Sequence, residues 1–304
     1  NYNQIVYSFT PTNSSLEPIN PFMAFYDSLN DCYYALTDSG IYLYDTDGIG
    51  DTYNLNGITD ACLYKDRLFV CSNSPTPTVY VFHCDLEQFI IVQEDNNITK
   101  DASNNLFNIV NSVFCDGETI IIGCNNNKCS TYLYNIYFNQ PFTPQKNYDL
   151  SEDTKVIKNI VCDSENNLIF VNETNYEPAL FVNTNDIFSY PTAPFPNIQL
   201  GQFNNYNAQI DGDNGYTSIA CSNIYTFSSN GADLNTYALN KNINDITTSD
   251  SFFNYSTGNQ PFSICEIYME DSQESINLGV GYYNNEGSND IMLSFQYKIG
   301  RAHV

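Results

Sequence analysis

The sequence predicts an all-β protein, and three observations support this. Short runs rich in Ile, Val, Tyr, Phe and Thr recur along the chain, and these residues suit a pleated, half-buried surface. Asn, Asp, Gly and Pro punctuate the runs at the places where tight turns need them. Units of three or four such runs then repeat at a spacing of roughly 35 to 60 residues, as repeat architectures do.

The unit is clearest over 111–138, NSVFCDGETIIIGCNNNKCSTYLYNIYF. It reads as strands over 111–115, 119–124 and 130–138, with Asp116-Gly117 and Asn125 to Asn127 as the turns. A lone strand over 4–9 precedes a polar, Pro-containing loop. The first unit has strands over 22–26, 32–36, 41–44 and 52–55, and the second over 59–64, 68–71, 79–83 and 89–92. A strand over 146–150 completes the third. The fourth has 158–162, 168–171 and 179–182, followed by a segment over 187–200 whose three prolines restrict it to an edge strand or a loop. The fifth is read as 206–210, 216–221, 224–227 and 236–239, and the sixth as 262–269, 276–282 and 291–297.

The second strands of these units align as YYALTDS, LFVCSN, IIIGCNN, LIFVNET, TSIACSN and NLGVGYYN. Cys71-Ser72-Asn73, Cys124-Asn125-Asn126 and Cys221-Ser222-Asn223 fall at one matching position, and Cys62, Cys115, Cys162 and Cys265 at another. On these repeats the chain resembles a β-propeller with six blades of four antiparallel strands. The resemblance implies a ring closed by the strand over 4–9 pairing into the last blade, because closure removes exposed sheet edges. The alternative is a seven-bladed ring cut short.

One domain over 1–297 is expected. Residues 299–304, IGRAHV, spell what a common sequencing adapter encodes, so 298–304 is read as a tail that is not native. The chain begins with Asn, as a processed chain or a fragment does. Setting the tail aside leaves one arginine, Arg67, and one histidine, His83.

Hydrophobic residues make up 42% of 304, with 25 Tyr and 20 Phe, enough for a packed interior. The formal charge of −25 repels a phosphate backbone and an anionic membrane surface, so neither nucleic acid nor membrane is an expected partner. No stretch approaches the roughly 18 apolar residues of a membrane span.

Asp45-Thr46-Asp47-Gly48-Ile49-Gly50-Asp51 is the sharpest local motif. Alternate carboxylates before a glycine bend suit Ca²⁺, and the loop is similar to those of integrin-type propellers. Asp45, Asp47 and Asp51 are the expected ligands. Leu43 stands where that family has a further Asp, and the terminal Glu of an EF-hand is missing. Cys124 and Cys129 flank a four-residue turn and are expected to bridge across a hairpin, while the first-strand cysteines are expected to be buried thiols. Sequons place candidate glycans at Asn13, Asn97, Asn172 and Asn254.

Catalysis is disfavoured by what is missing. His83 stands alone, so a Ser-His-Asp hydrolase is not expected, and one arginine does not equip a sialidase-like site. Glu152-Asp153 and Glu270-Asp271 read as solvated turns, because adjacent strand residues point to opposite faces. The expected function is therefore a non-catalytic binding or structural module for protein or glycan, extracellular or at the cell surface. A Ca²⁺-assisted hydrolase of sugars or esters and a cytosolic interaction scaffold are the alternatives.

Overall fold

The computed structural model describes the side chains over 11–148, apart from 20, 26, 28, 46–47, 116–118, 126–127 and 136–140, and that of Ile160. Beyond these it describes the backbone of the strands named below. After β1 (Gln4–Phe9), sheet 1 comprises β2 (Met23–Asp27), β3 (Cys32–Thr37), β4 (Gly40–Asp45) and β5 (Gly48–Asn54). Sheet 2 comprises β6 (Ile58–Tyr64), β7 (Arg67–Ser72), β8 (Thr78–Asp85) and β9 (Ile90–Gln93). Sheet 3 comprises β10 (Val110–Cys115), β11 (Thr119–Cys124), β12 (Lys128–Tyr134) and β13 (Phe142–Asp149). Sheet 4 has β14 (Ile157–Cys162), β15 (Asn167–Asn172) and β16 (Pro178–Asn183). Sheet 5 has β17 (Ile219–Cys221), β18 (Tyr225–Asn230), β19 (Asp233–Ala238) and β20 (Ser251–Ser256).

The last sheet runs β21 (Pro261–Ile267), β22 (Ser275–Tyr283), β23 (Asn289–Lys298) and then β1, which pairs antiparallel with β23 from Gln4↔Gln296 to Phe9↔Ile291. The expected closure by the N-terminal strand is therefore present. First strands also meet in a cycle: β2 touches β6, β6 touches β10, β10 touches β14, β14 touches β17, β17 touches β21, and β21 returns to β2. Every described strand pairing is antiparallel.

The middle strands are covered on both faces, which is why they read as continuous apolar runs rather than alternating ones. All six residues of β3 and of β11 are buried. On β7, Leu68 and Val70 join the core between sheets 1 and 2, with Tyr34, Leu36, Ile41, Phe82 and Ile91. Phe69 and Cys71 of the same strand turn the other way, onto Val113, Ile120, Ile122 and Tyr132 of sheet 3. Fully burying a side chain such as Phe69 contributes about 1.5–3 kcal/mol. Tyr34, Tyr44, Tyr132 and Tyr148 are among the largest fully buried side chains, so the abundant tyrosine serves packing. The hydroxyl then ties loops down: Tyr44 donates to the Thr12 carbonyl at 2.7 Å and Tyr132 to the Lys100 carbonyl at 2.5 Å.

A bulge recurs at the start of first strands, between Ile58 and Asp60, Val110 and Ser112, Ile157 and Asn159, and Pro261 and Ser263. This register corrects the expected alignment. Ser72 pairs with Ile58 as Cys124 pairs with Val110, so Asn73 corresponds to Asn125, one residue off the match made on cysteine. Sheet 5 is displaced by a whole strand: Cys221 lies on its first strand, β18 and β19 form its central hairpin, and β20 is a fourth strand that the sequence did not suggest. The expected strands over 187–200 and 206–210 lie outside the described residues.

The two asparagines explain why the off-by-one matters. Asn73 accepts from Val110 N at 2.8 Å and donates to Val110 O at 2.8 Å, strapping sheet 2 to sheet 3 by mimicking a strand partner. Asn125 accepts from Asn108 N at 2.8 Å, and its own N–H donates to Ile109 O at 3.0 Å. Gly57 makes the equivalent link from sheet 1: its N–H donates to Asp38 O at 2.8 Å and its carbonyl accepts from Asn73 N at 2.9 Å. It holds φ +70°, and a Cβ there would lie 3.1 Å from Ser74 Cβ, so both conformation and space favour glycine.

Candidate functional site

Sheets 1 and 2 each turn twice at the same end, between their first and second and between their third and fourth strands. At this hairpin end of sheets 1 and 2, aspartates build the turns. Asp27 Oδ1 accepts from Leu29 N at 3.0 Å and Asn30 N at 3.2 Å, Asp45 Oδ1 from Gly48 N at 3.0 Å, and Asp85 Oδ1 from Glu87 N at 2.9 Å. The short polar side chain replaces a backbone acceptor, which is why Asp opens these turns. Burial is the largest influence on Asp27 and holds its carboxyl above the ordinary range, against hydrogen bonds from Asn30 and Leu29; the charge of Asp66, from the neighbouring hairpin, adds to the rise. Among these acids two leucines stand in solvent, Leu29 at 42% and Leu86 at 59% exposure.

The described basic groups do not neutralise this end. Arg67 Nη1 lies 2.5 Å from Asp66 Oδ2 and its Nε 2.5 Å from Glu94 Oε1. Lys65 sits over the Tyr64 ring, 5.7 Å from its centroid. His83 Nδ1 is 3.5 Å from Glu94 Oε1, so Arg67, His83 and Glu94 form a row across β7, β8 and the residue after β9. Tyr134 of sheet 3 closes the row. Its ring meets Phe69 edge-on at 5.5 Å and stacks on Phe142 at 5.5 Å, and burial pushes its hydroxyl pKa up. Sequence reasoning treated Arg67 and His83 as isolated; only register brings them together, Leu68 lying opposite Phe82 and Phe82 opposite Gln93. The row carries an ion pair, an imidazole and a buried tyrosine.

The motifs singled out in the sequence are placed as follows. Asp45 and Gly48 close a two-residue hairpin, and Asp51 lies on β5, where its Oδ2 accepts from Ile91 N of sheet 2 at 2.8 Å. Asp47 lies outside the described residues. Among the described residues no three His, Cys, Asp or Glu side chains gather as a metal site. The bridge expected between Cys124 and Cys129 is not formed. Cys124 lies opposite Lys128 and Cys129 opposite Gly123, an offset of one residue that sends their side chains to opposite faces. Cys124 faces the core shared with sheet 2. All seven described cysteines are thiols. Asn13 is engaged in its own turn, accepting from Ser15 N at 2.9 Å and donating to Glu17 Oε2 at 3.1 Å. Asn97 is partly buried, while Asn172 ends β15 and Asn254 lies within β20. Residues 152–153, 270–271 and 299–304 lie outside the described residues.

The cyclic sheets define a β-propeller, and comparison with solved structures agrees. The β-propeller domain of Myceliophteria thermophila Cps50 (Swd1) superposes with a TM-score of 0.50 at 9% identity, covering 98% of this chain and 100% of that one. Saccharomyces cerevisiae Sqt1 gives a TM-score of 0.50 at 8% identity, covering 91% of this chain and 83% of that one. No family model and no curated protein sequence matches the chain. Among the described residues no helix is long and apolar enough to cross a membrane.

Proposed function

We propose that this β-propeller, read as a ring of six blades, is a non-catalytic protein-binding module that receives a basic partner on its hairpin end. The observation that carries the reading is the pairing of exposed Leu29 and Leu86 with the acids of adjacent turns, while Arg67 is consumed by Asp66 and Glu94. Apolar anchors inside a charged rim are the anatomy of a protein interface, and the rim sets the sign of the partner. A rigid cyclic scaffold holds the turns in place, so little ordering is needed on binding. The propellers of similar fold named above make such a module a natural use of the architecture.

The test is selection of a displayed random-peptide library on the wild-type protein. Binders enriched in Lys and Arg around an apolar residue, lost on a Leu29→Arg/Leu86→Arg double variant and weakened by salt, are the expected result. Binders without excess basic charge, or binders that hold equally to the double variant, refute the reading. The extracellular and cytosolic settings use this surface alike, and the thiol chemistry below separates them.

A further inference from the structure

The described cysteines lie between the sheets rather than on the surface, and one pair among them is placed differently from the rest. Cys32 is the first residue of β3, immediately after the β2–β3 turn, and Cys84 is the last residue but one of β8, immediately before the β8–β9 turn. Both therefore stand at the hairpin end. Cys32 faces sheet 2 together with Tyr34 and Leu36, and Cys84 faces sheet 1 together with Leu68 and Phe82, all within one core. The two thiols belong to one buried cluster across this interface and lie close enough for each to influence the other's ionisation. Cys71 and Cys124 also share a core across the next interface, but Cys124 is directed at Ser130 Oγ, 3.9 Å away. Cys62 is directed at the Cys115 carbonyl, likewise at 3.9 Å.

We infer that Cys32 and Cys84 are a disulfide site that locks the first two blades together in an oxidising compartment. The oxidant is a small-molecule disulfide. Cys84, at 6% exposure against 0% for Cys32, meets the small disulfide first. Its thiolate displaces one thiolate from the small disulfide, forming a mixed disulfide. The Cys32 thiolate then attacks the Cys84 sulfur, the new S–S bond forms and the second small thiolate leaves. The protein loses two electrons and the small disulfide gains them, and the two protein thiol protons end on the released thiolates. The link closes a long loop of the unfolded chain, so it stabilises, and it does so at an interface that is already assembled.

The test is to incubate the native chain with oxidised glutathione, block remaining thiols with N-ethylmaleimide, digest without reduction and map the peptides. A Cys32–Cys84 linked peptide in most molecules, with a melting temperature raised by several degrees and restored by dithiothreitol, is the expected result. Cys84→Ser and Cys32→Ser should each abolish the linked peptide and the shift. Recovery of Cys32 and Cys84 both alkylated, a mixed disulfide that stops at Cys84, or links from either residue to other cysteines would each overturn the inference. Protein isolated from its own source with this pair already joined places the chain outside the reducing cytosol.

Discussion

Asn73 is the most exposed point of the inter-sheet design to test. Its amide accepts from Val110 N and donates to Val110 O, each at 2.8 Å, and Thr59 Oγ1 donates to the same carbonyl at 3.0 Å. Asn73→Ala removes both amide bonds and leaves Val110 N without its side-chain acceptor. Two bonds worth about 1 kcal/mol each, plus part of an orphan-donor penalty, give a loss of about 2–3 kcal/mol. Asn73→Asp is nearly isosteric and sharper. Its ionised carboxylate still accepts from Val110 N but sets an oxygen against the Val110 carbonyl, whereas the protonated acid donates to it. The folded pKa of the new acid is therefore raised, its stability is fully present below the unfolded value of about 3.9, and it is lost as pH rises through the folded value. Urea denaturation at several pH values reads both variants, with the slope required to stay constant. Thr59→Val alone should cost little because Asn73 still serves the carbonyl, and together with Asn73→Ala it should cost more than the sum. An Asn73→Asp variant whose stability tracks the wild type across pH would refute the strap.

Three further outcomes follow from the geometry. Gly50 on β5 faces Phe89 of sheet 2 so closely that an added Cβ would fall 2.1 Å from two ring carbons, so Gly50→Ala should lose about 1–3 kcal/mol by overpacking, and Phe89→Leu in the same chain should restore part of it, read by calorimetry. Asp27 is an acid with a raised folded pKa, so its stability is complete below 3.8 and is lost as pH rises; Asp27→Asn should gain on the wild type between about pH 4 and pH 7, and a pH-independent difference would count against the burial argument. The buried Tyr134 hydroxyl has no hydrogen-bond partner while its ring packs on Phe69 and Phe142, so Tyr134→Phe should be neutral or stabilising by up to about 1 kcal/mol, and a loss of that size would reveal a partner for the hydroxyl.

Much of the fold was legible because burial on both faces writes itself as composition. The strands β1 and β11 were read with their observed bounds, Gln4–Phe9 and Thr119–Cys124. The outer strands were harder, since β5 and β9 are partly exposed and carry mixed residues. Sheet 5 was misframed because Cys221-Ser222-Asn223 imitates Cys71-Ser72-Asn73, and with four strands already placed by residue 239 the aromatic run of β20 (Ser251–Ser256) was left unassigned. The candidate site was less legible. Asn73 is visibly a turn residue, but its partner Val110 lies 37 positions on. Arg67, His83 and Glu94 meet only through a register that no single segment contains. The aspartates of the Asp45 motif read as metal ligands; in the structure Asp45 caps a hairpin and Asp51 holds Ile91. In both roles a carboxylate gathers N–H groups, and spacing alone does not separate this from gathering a cation.

The pairing of β1 with β23 also orders events in time. At about 5–20 residues per second, a ribosome needs about 15–60 s to pass from β1 to β23. Throughout that interval β1 has no mate, because Ile5 and Phe9 wait for Phe295 and Ile291. The intervening blades can fold and dock in sequence, each on local hairpins, yet the circle stays open until β23 emerges. The nascent ring thus carries one unpaired, adhesive strand until then, and chaperone occupancy of residues 4–9 is where its protection from aggregation is to be sought.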